Sequence, residues 1–213
     1  MKVDYIIADT HFGHTNVLKY ELSRVEKMKK EDFSSFDEMM ISIWNNSISE
    51  NDNILHLGDV AFDNEYLKLD ILKGKITLII GNHDKKEHLE YYKNIGWNVI
   101  DSIELKIDNS LKVFDTLKQE FSTDILNNNL LTCLVIDIND KRVMFSHFPV
   151  FDNNQYDLKF SNITKVLNRV FELTKCDVNI HGHTHSHGAK EDFCKSACLE
   201  LNSFKVIDVN SFL

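Results

Sequence analysis

Metal-ligand side chains recur at the ends of short apolar runs throughout this 213-residue sequence. Each run is rich in Ile, Val or Leu and leads into Asp, Asn or His. Carboxylates, an amide oxygen and imidazoles, without cysteine, suit manganese, iron, zinc or cobalt better than calcium or a thiolate-bound structural zinc. These residue types could therefore build a transition-metal centre. The side chains are Asp9, His11, Asp59, Asn82, His147, His183 and His185.

The size of this ligand set predicts two metal ions rather than one. A single catalytic ion with open positions needs fewer ligands, whereas two ions that share Asp59 would use them all. Two divalent cations outweigh the carboxylates of Asp9 and Asp59, so the pocket would stay cationic and attract phosphate. Paired ions recur in enzymes that attack phosphorus, because they hold both the nucleophile and the phosphoryl oxygens. We expect two divalent ions as cofactors, with manganese first and iron, zinc, cobalt or nickel as alternatives, and a small phosphoester as substrate.

The apolar runs predict the strands that would position these ligands. Short Ile-, Val- and Leu-rich runs bounded by Gly, Asn or Asp are typical of buried strands. Ligands of open α/β sheets bind beyond the carboxyl ends of the strands, where these polar residues lie. Alternation along an extended strand would also place Asp9 and His11 on one face, and His183 with His185. The predicted strands are residues 4–8, 54–58, 76–81, 142–146 and 177–182.

Helical patterns separate the predicted strands. Residues 35–38 have the form of a capping box that opens a helix, and residues 163–173 have a clear amphipathic pattern. Alternating helices and strands favour an α/β or mixed α+β layered fold. Shorter helices are expected at 65–72 and 85–94, and hairpins at 131–145, turning at Asn139–Asp140, and at 197–209, turning at Asn202–Ser203.

Five ordered motifs resemble those of the calcineurin-like metallophosphoesterases. They are Asp9-Thr10-His11, Gly58-Asp59, Gly81-Asn82-His83-Asp84, His147 in Ser-His-Phe-Pro, and Gly182-His183-Thr184-His185. The resemblance implies a four-layer α/β/β/α sandwich with two metals at one edge. It implies that one ion is held by Asp9, His11, Asp59 and His185, and the other by Asp59, Asn82, His147 and His183. It also implies that His83 is the proton donor and that Asp84 orients it; a simple turn is the alternative interpretation of residues 81–84.

The leading functional hypothesis is a phosphodiesterase that hydrolyses a small nucleotide-like or cyclic phosphodiester by attack of a metal-bridging hydroxide. A histidine such as His83 can protonate the leaving alkoxide near neutral pH. A phosphomonoesterase or phosphoprotein phosphatase would share every ligand. Lys85 and Lys86 follow where some protein phosphatases carry an arginine, which disfavours the protein-phosphatase alternative. A non-catalytic metal-binding interaction module is a third hypothesis.

Four residues are candidate substrate contacts: His14, Arg24, Phe151 and Tyr156. Arg24 could reach a substrate phosphate, although a solvated helix face is the simpler interpretation of its charged segment. The aromatic residues of 148–160 could stack on a base, or pack an ordinary loop. His14, like His181 and His187, could orient a ligand or touch phosphate, but packing or solvation is favoured.

Length and composition predict one globular domain over residues 1–213. Relative to compact members of the family that the chain resembles, we expect an insertion at about 108–130, which could cap the site, form a dimer contact or, as we favour, be a surface addition. A net charge of −9 argues against long duplex nucleic acid as a partner. No stretch has the length of a membrane span and no signal peptide is evident, so we expect a cytoplasmic protein with no membrane partner. The four cysteines are expected to be free thiols. Nothing indicates the oligomeric state.

Overall fold

Two five-stranded sheets form the centre of the computed structural model, which describes residues 1–151 and 158–213. The strands are β1 (Tyr5–Ile7), β2 (Asn53–His56), β3 (Lys75–Ile79), β4 (Asn98–Ile100), β5 (Ile103–Leu105), β6 (Cys133–Ile138), β7 (Lys141–Ser146), β8 (Val178–His181), β9 (Cys194–Ser196) and β10 (Ile207–Asp208). The first sheet has the order β10-β1-β2-β3-β4, and the second β5-β6-β7-β8-β9. All five strands predicted to precede the ligands are present.

Helices connect and cover these strands. The α-helices are α1 (Val17–Tyr20), α2 (Leu22–Lys30), α3 (Phe36–Ser47), α4 (Lys86–Asn94), α5 (Ser110–Glu120), α6 (Thr123–Leu126) and α7 (Ser161–Thr174). The 3-10 helices are Glu65–Ile71, Leu158–Phe160, His185–His187, Leu199–Asn202 and Val209–Phe212. Ser35 caps α3 by accepting a hydrogen bond from the backbone N–H of Glu38 at 3.4 Å, as its sequence predicts.

Most strand pairs are parallel. β1 to β4 run parallel, whereas β10 is antiparallel to β1. In the second sheet β6 and β7 form the predicted antiparallel hairpin, while β5 pairs with β6, and β8 with β7 and β9, in parallel. Asn139 and Asp140 have φ of +48° and +63°, the conformation that a two-residue turn of this hairpin type requires. The carboxyl ends of β1, β2 and β3, and those of β7 and β8, therefore lie together within their sheets.

Three apolar cores define four layers. One core lies between the first sheet and α3 and α4, and includes Trp44 and Tyr92. The second lies between the two sheets, where Leu55 and Phe145 are fully buried. The third packs the outer face of the second sheet against α5 and α7. The molecule is a mixed α/β/β/α sandwich, which confirms the predicted fold class.

The helix of residues 110–120 belongs to the outer layer of the sandwich. Val113 and Leu117 of α5 are buried in the same core as Val135 and Met144 of the second sheet. Arg169 of α7 also pairs with Glu120 of α5 at 2.7 Å. This helix therefore covers the outer face of the second sheet.

Two local predictions are wrong. The expected C-terminal hairpin at 197–209 does not form, because Leu199–Asn202 is a 3-10 helix and β10 pairs with β1 of the first sheet. The charged residues 85–87 predict that His88, which follows them, is a solvated helix residue, yet it is 1% exposed and its ring stacks on Tyr66. Within the described residues, no helix is long and apolar enough to cross a membrane. The cysteines there are free thiols.

Candidate metal centre

The candidate ligands converge on one edge of the sandwich. Asp9, Asp59 and Asn82 follow β1, β2 and β3 of the first sheet. His147 follows β7, and His183 and His185 follow β8, of the second sheet. Hydrogen bonds join the two groups, since His183 N donates to Asp9 Oδ2 at 2.9 Å and His147 Nδ1 lies 2.8 Å from Leu57 O. The sequence pattern thus brings both sheets to a single site.

Gly58 makes this close approach possible. A Cβ atom at this position would lie 2.6 Å from Gly81 Cα and 2.8 Å from His147 Nδ1. Its φ of +96° also lies in the region that side chains disfavour. Glycine is therefore required where the ends of β2 and β3 meet His147.

The ligand atoms form two overlapping groups. One comprises Asp9, His11 and His185, and the other Asp9, Asp59 and His147, with the ligand atoms of each group within 4.8 Å of one another. Asp59 Oδ2 lies 3.7 Å from both His11 Nε2 and His147 Nε2. Asp9 is common to both groups, and Asp59 Oδ2 lies between a histidine of one group and a histidine of the other.

The polar contacts of His147 are those expected of a histidine that binds a cation. Leu57 O can only accept, so the ring proton is on Nδ1, yet His147 Nε2 also lies 2.9 Å from the acceptor Asn82 Oδ1. Burial lowers the pKa of His147 to about 4, so the ring does not carry both protons. Two oxygens compete for one proton, and a metal ion at Nε2 would remove the conflict.

Asp9 and His11 also have properties that suit metal ligands. Asp9 Oδ1 is buried and makes no hydrogen bond in the described structure, although it lies 3.7 Å from His11 Nε2 and 3.8 Å from His185 Nε2. An unpaired buried carboxylate oxygen is costly. Burial lowers the pKa of His11 to about 3, which keeps the imidazole in the neutral form that binds metal. Burial and the charge of Asp9 raise the pKa of Asp59 to about 6.

Most candidate ligands have left-handed backbone conformations. The φ angles are 55° for Asp9, 51° for His11, 57° for Asp59, 68° for His183 and 45° for His185. Asp9 with His11, and His183 with His185, are therefore brought together by tight turns and not by the alternation of an extended strand. Such residues cluster at functional sites because the surrounding structure must hold them.

His83 lies at the open side of the site, beside an aromatic group. It is exposed, and its backbone N–H donates to Asp59 Oδ1 at 2.8 Å. The ring of Phe62 lies 5.0 Å from that of His83 and stacks on His14 at 3.8 Å. His14, one of the candidate substrate contacts, is thus at the site; Phe62 was not singled out from the sequence.

Asp84 has a different role from the one that the resemblance implies. Its Oδ2 accepts from the backbone N–H groups of Asp59 (2.9 Å) and Gly81 (2.8 Å), and its Oδ1 from that of Val60 (2.9 Å). Both oxygens are therefore directed at the backbone. Asp84 joins the turns that follow β2 and β3, and does not orient the His83 ring.

Arg24 does not face the substrate side. It is 0% exposed, and its guanidinium donates to Asp9 O, Thr10 O and Glu200 Oε1 at 2.7, 3.0 and 2.7 Å. The expectation that it reaches a substrate phosphate is wrong, because three oxygens of this chain occupy its donors. Its charged segment gave no sign of this burial.

The other candidate contacts are not brought to the ligands. Phe151 is 39% exposed, and no ring contact in the described part of the chain joins it to them. Tyr156 lies outside the described residues. His181 is buried, with Nδ1 2.8 Å from Gly182 O, whereas His187 is exposed.

Several residues around the centre escaped the sequence reasoning. Cys198 donates its thiol proton to Asp9 Oδ2 at 3.3 Å, and Glu200 Oε1 lies 3.2 Å from His185 Nδ1. By contrast, the position of His56 inside the apolar run 54–58 predicts a residue in the core or behind the ligands; it lies 3.0 Å from Thr10 Oγ1 and accepts from Gly58 N. A local pattern could not reveal Cys198, because its partner Asp9 lies 189 positions away in the sequence. It could not reveal Glu200 either, because its partner His185 was itself only a candidate ligand.

Comparison with known proteins decides the family. Residues 1–203 match the model of the calcineurin-like phosphoesterase superfamily domain. The chain belongs to this family. The resemblance inferred from the five motifs is confirmed, and the candidate metal groups agree with the metal dependence of these phosphoesterases.

Relatives of this calcineurin-like phosphoesterase extend the comparison. An uncharacterised protein of Methanocaldococcus jannaschii is 38% identical over 93 residues, which cover 40% of this chain and 48% of that protein, so the match spans about half of the relative's length. A protein of unknown function from Aquifex aeolicus has a similar structure, with a TM-score of 0.66 and 24% identity over 97% of this chain and 95% of that one. An archaeal phosphodiesterase has a TM-score of 0.41 and 17% identity, and the match covers 90% of this chain and 81% of that one. The Aquifex structure supports the fold alone.

Proposed function

We propose that this protein is a metal-dependent phosphodiesterase that hydrolyses a small nucleotide-like or cyclic phosphodiester. The observation that carries the proposal is the position of Asp59 Oδ2, 3.7 Å from both His11 Nε2 and His147 Nε2. This carboxylate oxygen lies between His11, which follows a strand of the first sheet, and His147, which follows a strand of the second. Such an arrangement suits two divalent ions, with manganese as the first expectation.

The available charges favour a diester over a monoester. A phosphomonoester carries up to two negative charges near neutral pH, whereas a diester carries one. Phosphate oxygens with more charge are commonly held by arginine, which forms paired hydrogen bonds. Arg24, the arginine nearest in sequence to Asp9 and His11, has its guanidinium donating to Asp9 O, Thr10 O and Glu200. The site therefore matches the lower charge of a diester.

The residues of the chain divide the chemical tasks. Asp9, His11, Asp59 and His185 would hold one ion, and Asp59, Asn82, His147 and His183 the other. Bound divalent ions supply a lowered pKa for water and stabilise negative charge on phosphoryl oxygens.

His83 would donate a proton to the leaving oxygen of the ester. Its backbone N–H is fixed by Asp59 Oδ1, and its ring lies 5.8 Å from that of His11, so it is adjacent to the ligands. Its exposure lets the ring take up a proton from water again. Phe62 and His14 form an aromatic wall beside it, which would contact the leaving group.

The test is Asp59→Asn, measured by metal content and by hydrolysis of diesters, cyclic nucleotides and monoesters with added manganese. We expect two metal ions per chain in the wild type and fewer in the variant. Because even indirect support of a metal ligand is worth about 10–100-fold in activity, loss of the shared ligand should cost at least about 100-fold.

Asp63→Asn is the matched control, since Asp63 is exposed and shares the left-handed conformation of Asp59, with φ of 48°. It should keep metal and activity. Equal turnover of Asp59→Asn and wild type would refute the metal-dependent hydrolase. Faster hydrolysis of monoesters than of diesters would favour a phosphomonoesterase, and metal binding without any hydrolysis a non-catalytic module.

A further inference from the structure

A buried ion pair lies directly behind the candidate ligand His185. Arg24 is 0% exposed, the side chain of Glu200 is 1% exposed, and Arg24 Nε donates to Glu200 Oε1 at 2.7 Å. The same oxygen lies 3.2 Å from His185 Nδ1. A continuous chain of polar contacts therefore runs from the core to the metal centre.

Burial of this pair is costly and calls for a physical reason. Two charges taken out of water lose their hydration, and apolar side chains of similar volume in their place often make a protein equally or more stable. Arg24 also donates to Asp9 O at 2.7 Å and Thr10 O at 3.0 Å. The guanidinium thus fixes the turn that carries Asp9 while it holds Glu200. Both partners act on residues of one ligand group.

We propose that Glu200 and Arg24 are positioning residues for His185 and Asp9, an inference that rests on the metal centre proposed above. Glu200 accepts the Nδ1 proton of His185, which leaves Nε2 free for the metal. His185 Nε2 indeed points toward the ligand group, 3.2 Å from His11 Nε2 and 3.8 Å from Asp9 Oδ1. Imidazole ligands commonly donate their second N–H to a carboxylate, which fixes both tautomer and ring orientation.

The same residues offer one alternative arrangement. Ligand atoms of Glu21, His185 and Glu200 lie within 4.8 Å of one another and could hold a further cation. Glu200 Oε2, buried and without a hydrogen-bond partner in the described structure, favours this alternative. The positive charge of Arg24 argues against a further cation, because Arg24 Nη2 already lies 2.6 Å from Glu200 Oε1. The two arrangements differ in the number of ions bound.

The test is Glu200→Gln, with calorimetric titration of metal-free protein by Mn²⁺ and the visible absorption spectrum of the Co²⁺-loaded form. We expect one of two ions to bind about 10–100-fold more weakly, the magnitude typical of such supporting carboxylates. The other ion should bind as in the wild type, and the Co²⁺ spectrum should change. Excess metal should restore kcat, with KM unchanged, because Glu200 does not touch substrate.

Glu120→Gln is the matched control. Glu120 pairs with Arg169 at 2.7 Å on the surface, so the same substitution breaks an ion pair of the same type away from the ligands. Its metal titration and Co²⁺ spectrum should match the wild type. If circular dichroism shows that Glu200→Gln does not fold, Arg24→Lys is measured instead. Lysine keeps the charge but cannot span all three acceptors, so a loss of affinity for the same ion is expected.

Wild-type affinity for both ions in whichever variant folds would overturn the proposed positioning. Three ions in the wild type and two in Glu200→Gln would overturn it in favour of the further cation. A rise in KM at unchanged metal affinity would also overturn it, since that result indicates a substrate contact. A wild type that binds no metal would overturn the proposed function, and the positioning role with it.

Discussion

His83 differs from its buried neighbours in its access to solvent. Asp9, His11, Asp59 and His147 are buried, whereas His83 is exposed at the same turn as Asn82. Exposure suits a group that must exchange protons with water, and burial suits ligands that must stay fixed. The two environments therefore match the division of tasks that we propose.

Replacement of His83 by alanine should separate the proton donor from the ligands. A positioned general acid contributes about 10²–10⁴-fold in rate. His83→Ala should lose about 100-fold or more on diesters with poor alkoxide leaving groups, and little on nitrophenyl diesters, whose leaving group needs no proton. Metal content should stay at the wild-type level. The measurement is kcat for both substrate types at saturating metal.

His187→Ala is the control for this experiment, since His187 is also an exposed histidine close in sequence to ligands. It should leave both rates unchanged. An equal loss on both substrate types in His83→Ala would show that His83 acts before the leaving-group step, in metal or substrate binding.

The residues that sequence reasoning found and missed differ in what positions them. The candidate ligands follow apolar runs, so a local pattern marks each of them. Arg24 and Glu200 are 176 residues apart, and their burial arises only when α2 and the 3-10 helix at Leu199–Asn202 meet behind the ligands. A charged residue in a charged segment looks solvated until its partner is known.

At the scale of elements, α5 acts as cover for the second sheet. Leu117 is 1% exposed and faces the core shared with α7, whereas Leu111 of the same helix is 79% exposed. The helix is thus anchored by one face. Because its buried residues belong to the core on the outer face of the second sheet, we expect α5 to contribute to stability and to have no part in metal binding.

Leu117→Ala should destabilise the protein without changing its metal content. Truncation of a buried leucine costs about 2–5 kcal/mol, because it removes apolar contacts and leaves a cavity. The free energy of unfolding, measured by urea denaturation, should fall by this amount. Leu111→Ala, in the same helix, should stay within about 0.5 kcal/mol of the wild type. Loss of metal from folded Leu117→Ala would show instead that α5 supports the site.

The elements also show where a local pattern is insufficient. The hairpin of β6 and β7 was predictable because Asn139 and Asp140 favour its turn. Residues 197–209 contain a similar alternation, yet Leu199–Asn202 is a 3-10 helix that separates β9 of the second sheet from β10 of the first. Between them Ser203 and Phe204 have φ of 55° and 60°, which redirects the chain from one sheet to the other. Alternation indicates a strand but does not identify its partner.

At the scale of the molecule, the candidate metal centre joins the two sheets. Asp59 and Asn82 belong to the first sheet, and His147 and His183 to the second. A metal held by both groups would act as a cross-link at one end of the sandwich. Bound metal should therefore stabilise the native arrangement of the whole chain.

Chelation of metal should lower the melting temperature. A ligand at about 100 times its Kd stabilises by about 2.7 kcal/mol, and each kcal/mol moves Tm by about 2–4 °C in a protein of this size. Each ion should thus raise Tm by about 5–10 °C. The measurement is thermal unfolding with manganese and with EDTA, and Asp59→Asn should show a smaller shift. An unchanged Tm in the wild type would mean that no ion joins the sheets.

The left-handed turns at the candidate ligands have an evolutionary consequence. Each such conformation costs a residue with a side chain about 1–2 kcal/mol relative to the right-handed region, although Asp and His tolerate it better than most. Metal binding gives a reason for Asp9, Asp59 and His183 to occupy positions that glycine or asparagine would adopt with less strain. In a descendant that no longer needed the activity, replacement of these residues by glycine or asparagine would relieve the backbone strain. Glycine or asparagine at these turns in a related chain would thus indicate that the chain has lost the metal-dependent activity.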